Sequence, residues 1–211
     1  MLNISIAKLE QARQNTQAFA KSLSQAAKGF GTNGSFSGIF KSFIGKFHND
    51  NENKGKFHTQ LQDAYKLQFI ENSVNNKRAK KYCEAFSSYS DYMMKNGFGL
   101  DNFFTRINLK LLADVSLGGN SPILSSSDTR NMVFSIEESP RDWQNELKYP
   151  ILQRYLAENY YSCEKNQVEI GIFNVNSGLF ELKIFDDIEI ANAFEEAKTV
   201  LGNVKYILDQ S

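Results

Sequence analysis

Apolar residues recur every three or four positions through the first half of this chain, and gather in short strand-like runs over roughly its last eighty residues. A chain with that change of period builds helices first and a sheet later. Leu9, Ala12, Thr16, Phe19, Leu23, Ala26 and Phe30 share one stripe and predict a helix over 3–28. Ile39, Phe40, Phe43, Ile44 and Phe47 predict a second, over 37–47. A longer helical region is expected over 59–94, clearest where Ala79, Tyr82, Phe86, Tyr89 and Met93 step by three and four. Asn96-Gly97-Phe98-Gly99 breaks it. Asp101 can cap a further helix carrying Phe104, Ile107, Leu111 and Val115.

The later grammar is mixed. A short strand is expected at 132–136. Ser139-Pro140 opens a helix through Trp143, Leu147, Ile151 and Tyr155, which Pro150 must kink or restart. Strands follow at 168–174 and 179–185, joined by a turn around Asn176-Ser177-Gly178. Asp186 and Glu189 make a capping pair for a helix that Gly202 stops, and 204–208 reads as a last strand. The expected class is therefore α+β, with β-α-β-β-α-β order in the second half, the order of a ferredoxin-like unit. The expected organisation is a helical domain over 1–117, a linker over 118–131 and an α/β domain over 132–211.

Composition narrows the function classes. The 24 Lys and Arg balance 24 Asp and Glu, whereas a dedicated nucleic-acid binder shows a basic domain or stripe. The basic knot Lys77, Arg78, Lys80, Lys81 is read as a solvated helix face. Cys83 and Cys163 form no CxxC pair, no secretory leader is read at the N-terminus, and no apolar run approaches the ~20 residues of a membrane span. Two free thiols and a cytoplasmic location are expected. Gly29-Phe30-Gly31-Thr32-Asn33-Gly34 formally matches GxGxxG, but it follows a helix, where a dinucleotide loop must follow a strand. It is read as a turn. His48 and His58 flank a polar loop and read as exposed side chains, not metal ligands.

One constellation bears on catalysis. Glu181-Leu182-Lys183, on a strand that follows Glu169, resembles the acid…E-x-K signature of the PD-(D/E)XK nuclease superfamily. The resemblance covers this hairpin and the helix after it. It implies metal-dependent cleavage of DNA or RNA, with Glu169 and Glu181 holding Mg²⁺ or Mn²⁺ and Lys183 helping to orient the attacking water. A three-residue loop at 175–177 would pair Asn174 with Gly178 and set Glu169 opposite Lys183, gathering all three on one face. The same geometry describes a cross-strand ion pair on a solvated surface.

The sequence as a whole weighs towards a non-enzyme: a protein-interaction or regulatory protein with no cofactor. The expected partner is a protein, or a second copy, bound through aromatic helical faces, with Phe40, Phe43 and Phe47 as the candidate contacts. No metal site is assigned outside the nuclease alternative. The favoured reading of the 37–47 stripe itself is a helix packed in the core, with partner or membrane docking as its alternatives.

Overall fold

The computed structural model describes residues 2–24, 35–50, 54–138 and 142–210. Among the described residues there are eight strands: β1 (Leu2–Ser5), β2 (Gly99–Asn102), β3 (Arg106–Leu112), β4 (Val115–Asn120), β5 (Ile123–Ser126), β6 (Asn131–Glu137), β7 (Val168–Asn174) and β8 (Leu179–Lys183). The α-helices are α1 (Leu9–Gln14), α2 (Thr16–Ser24), α3 (Phe36–Asn49), α4 (Lys54–Gln68), α5 (Ser73–Lys95), α6 (Lys148–Leu156) and α7 (Asp187–Asp209). The fold is α+β, with a mainly helical N-terminal half. No described helix is long and apolar enough to cross a membrane.

The strands form a three-stranded sheet, β1-β4-β3, and a five-stranded sheet, β2-β5-β6-β7-β8. One long hairpin belongs to both. Its arms pair as β3 with β4 and, beyond a corner, as β2 with β5. At the corner Ser121 donates its N–H to the Thr105 carbonyl (2.9 Å), and its Oγ accepts from the Thr105 N–H (2.8 Å). Pro122, which has no N–H to give, follows where the ladder changes sheets. The expected helix over 101–115 is thus β2, β3 and the start of β4. Ile107 and Leu111 suit either period, but Arg106-Ile107-Asn108-Leu109-Lys110-Leu111 also alternates, and Ile107 and Leu111 are the buried members. The stretch 118–131, expected as a linker, carries the end of β4 and all of β5 because Ile123 and Leu124 are buried on opposite faces of the larger sheet.

That sheet lies between two cores. On one face Leu124, Val133, Val168, Ile170 and Ile172 pack with Trp143, α1, α2, α6, α7 and the smaller sheet. On the other Ile123, Met132, Phe134 and Phe173 meet α3, α4 and α5. Met132, Val133 and Phe134, consecutive in β6, therefore all bury, which explains that apolar run. β6 and β7 are parallel neighbours, joined by α6, and every other pairing in this sheet is antiparallel. Pro150 sits in the first turn of α6, where a missing N–H costs nothing, so the helix starts there instead of kinking.

Local chemistry sets the helix ends. Ser35 Oγ accepts from the Gly38 N–H (3.0 Å) to start α3, and Asp186 and Glu189 cap each other's backbone to start α7. The first stripe splits at Asn15, whose side chain accepts from the Ala18 N–H (2.9 Å) and caps α2. The expected last strand at 204–208 is the final turns of α7. Val204 is buried beside Leu201 and Val200, so continuing the helix buries more than ending it saves at Gly202, where glycine costs only ~1 kcal/mol. The second half is thus β-α-β-β-α, without the sixth element of a ferredoxin-like unit. The GxGxxG match at 29–34 and the Ser139-Pro140 cap lie outside the described residues.

Candidate functional site

The β7–β8 hairpin does not gather the E-x-K set. Its register pairs Ile170 with Lys183, Ile172 with Glu181 and Asn174 with Leu179, one residue away from the pairing that would put Glu169 opposite Lys183. Because side chains alternate, that single step sends Glu169 to one face and Glu181 and Lys183 to the other. The cause is the loop, which has four residues, 175–178. Val175 is buried in the aromatic core and donates its N–H to the Glu137 carbonyl (2.8 Å), so the chain turns one residue later. Asn174 Oδ1 accepts from the Asn176 N–H (3.0 Å), and Gly178 takes the left-handed φ of 68° that closes the turn.

Each member has its own partner. Glu169 pairs with Arg130 (3.5 Å) on the face of the N-terminal helices. Glu181 accepts from Trp143 Nε1 (3.2 Å) and Asn174 Nδ2 (2.9 Å), and Lys183 pairs with Glu189 of α7 (2.6 Å). The two carboxylates cannot share one ion across the sheet. Among the described residues no group of three or more His, Cys, Asp or Glu is placed to hold a metal.

A second polar knot ties α5 to the end of β6. Arg78 Nε donates to Glu138 (2.9 Å), a second guanidinium nitrogen reaches the other carboxylate oxygen, and Tyr82 donates to it at 2.6 Å. Burial pushes the Glu138 carboxyl up, but the Arg78 and Tyr82 bonds outweigh it and hold it below its ordinary value. The Arg78 guanidinium also lies over the Phe36 ring, 4.5 Å from its centroid. This carboxylate is consumed by fixed donors and serves as a tie, not a base. Burial raises the Cys83 thiol to about 11, so it is protonated at neutral pH and not a nucleophile. His48 is half-buried, against expectation, with Nε2 2.9 Å from the Tyr89 hydroxyl.

Phe40, Phe43 and Phe47 face inward. Phe40 stacks on Phe173 of β7 (6.0 Å) and meets Phe86 of α5 edge-on (5.9 Å), and all three are buried. They form the layer between α3 and the sheet and, placed so, present no surface to a partner.

Among the exposed large apolar side chains, which also include Leu179, Ile188 and Tyr206, three fall close together in sequence at the corner between α4 and α5. Leu67 is 90%, Ile70 83% and Val74 71% exposed. The corner is held, not loose: Asn72 caps α5 by accepting from the Asn75 N–H (2.8 Å), and Asn75 Nδ2 donates to the Ile70 carbonyl (2.8 Å). Phe69 anchors it from inside, stacked on Phe36 with centroids 3.9 Å apart. Beside it runs a groove of about 560 Å³ between the helices, lined by His58, Gln62, Asn76, Ala79 and Cys83 among others. Sequence reading passed over these residues. The available signal was that Leu67 lies off the buried Phe57, Leu61, Tyr65 stripe of α4 and so has no place in the core. A scan against protein-family models finds no match to this chain, and a search of curated proteins finds none either.

Proposed function

We propose that this chain is a non-enzymatic interaction module that binds a protein partner at the α4–α5 corner. The reading rests on one observation: three aliphatic side chains within eight residues, each at least 71% exposed, on a rigid corner beside a groove. Single exposed aliphatics are ordinary, but a cluster of them marks a contact surface. The aromatic faces take part indirectly, as the floor that fixes α4 and α5. A non-enzymatic role is supported by the use of Glu138, Glu181 and Lys183 in fixed internal contacts. The free state of Cys83 and Cys163 suits a reducing compartment such as the cytoplasm.

The test is selection of peptides from a random phage library on the folded protein, followed by amide-shift mapping of the selected peptides. Shifts concentrated between residues 62 and 84 support the reading. Peptides that map elsewhere, or a folded protein that selects none, would sink it.

A further inference from the structure

Resting on that reading, we infer that the partner presents an acidic amphipathic helix. Lys77 and Arg78 lie three and four residues after Val74, and Lys81 lies four and three after them, so the apolar corner runs directly into a cationic strip along α5. Over residues 56–84 six Lys and Arg stand against three Asp and Glu, in a chain whose charges balance overall. Arg78 is neutralised by Glu138. Lys81 donates to the neutral amide of Asn176 (3.2 Å) and shares the field of that same carboxylate, and Lys77 has no ion pair among the described residues. Three cations thus stand against the one carboxylate of Glu138, and the net positive strip runs about 10 Å along the helix axis from Val74. The complementary surface has aliphatic side chains at one end and carboxylates one to two turns further on, on the same face. An acidic amphipathic helix supplies that pattern.

A membrane fits less well. Inserting Leu67, Ile70 and Val74 would carry the exposed Glu71 and Asn72 into the acyl boundary with them, at the cost of their hydration. Nucleic acid offers phosphates to the lysines but nothing that gains from covering three aliphatics.

The probe is a fluorescein-labelled synthetic helix of about five turns with a leucine stripe flanked by glutamates, read by anisotropy beside a copy with every Glu→Gln. We expect the Glu peptide to bind about tenfold more tightly at ~0.05 M salt, with the difference closing at ~0.5 M. Lys77→Glu with Lys81→Glu should abolish the preference, and Ile70→Asp should weaken both peptides. Equal binding of the two peptides would overturn the acidic partner and leave the docking corner standing. Cosedimentation with phosphatidylserine vesicles, with neither peptide bound, would overturn it in favour of a lipid surface. Binding of neither peptide nor vesicle would overturn it outright, and the phage selection then decides separately whether the corner docks anything.

Discussion

Gln153 offers the sharpest test of how the hairpin is placed. It is a fully buried amide on α6, and it acts towards Phe185 as a neighbouring strand would. Its Oε1 accepts the Phe185 N–H at 2.8 Å, while Nε2 donates to the carbonyls of Phe185 and Lys165, each at 3.0 Å. β8 has already ended at Lys183, so these bonds hold the chain just beyond it and help fix which side Glu181 and Lys183 face. Gln153→Leu keeps most of the volume and removes the amide. Two Phe185 groups then lie buried without this partner, at about 1–3 kcal/mol each, while water can reach the part-exposed Lys165 carbonyl. Part of that cost is offset by the more apolar side chain, leaving a loss of about 2–4 kcal/mol. For a chain of this size that lowers Tm by roughly 5–15 °C. Urea unfolding should show the lower midpoint with an unchanged slope. Gln153→Glu adds a pH signature. The carboxyl would keep the Phe185 N–H but face two carbonyl oxygens, so its folded pKa rises above the ordinary value near 4.3. A raised folded pKa means the stability is fully present below the unfolded pKa and is lost as pH rises. The Glu variant should therefore be most stable in mild acid and weaken towards neutrality. A Leu variant within ~0.5 kcal/mol of wild type, or a Glu variant with no such pH dependence, would refute the placement of Phe185.

Phe40→Ala should cost about 3–5 kcal/mol in urea unfolding, because the buried ring stacks on Phe173 of β7 and meets Phe86 of α5 edge-on. Gly202→Ala should stabilise by about 0.5–1 kcal/mol, since the added Cβ meets only Leu112 Cδ1 at 3.8 Å and the helix gains propensity. A loss there would mean that the chain after Gly202 is not helical. The lowered Glu138 carboxyl contributes stability that is present above its unfolded pKa and lost as pH falls through the folded one. Arg78→Ala should therefore flatten the acid limb of a stability profile followed from about pH 7 down to about pH 3.

Much of the frame was legible because local chemistry and burial agreed. The stripe of Phe40, Phe43 and Phe47 announced α3, the alternation in 168–174 announced β7, and Asp186 with Glu189 announced α7. Three features were not legible, each for a definite reason. Phe104, Ile107, Leu111 and Val115 satisfy a helical spacing and part of a strand alternation at once, and only pairing with β4 decides between them. Gly202 has the look of a helix stop, but the burial of Val204 against the core overrides it. The hairpin register turned on one residue of loop length, set by burial of Val175 in a core built from distant helices. That one step separated the three residues of the nuclease-like set. The exposed corner was legible only in part: Leu67 lies off the buried stripe of α4, but Ile70 and Val74 look like core until α4 and α5 are docked.

The central claim is that the aromatic stripe of α3 holds the protein together while the α4–α5 corner does the binding. The direct measurement is to carry Ile70→Ser and Phe43→Ser through both thermal unfolding and binding of a peptide selected on the wild-type protein. Ile70→Ser should leave Tm within about 2 °C of wild type and weaken peptide binding by at least about tenfold, as exposed positions and contact residues respectively behave. Phe43→Ser should lower Tm by roughly 5–15 °C, as loss of a buried ring does. The reverse pattern, with Ile70→Ser unfolding the protein and Phe43→Ser losing only the peptide, would contradict the account.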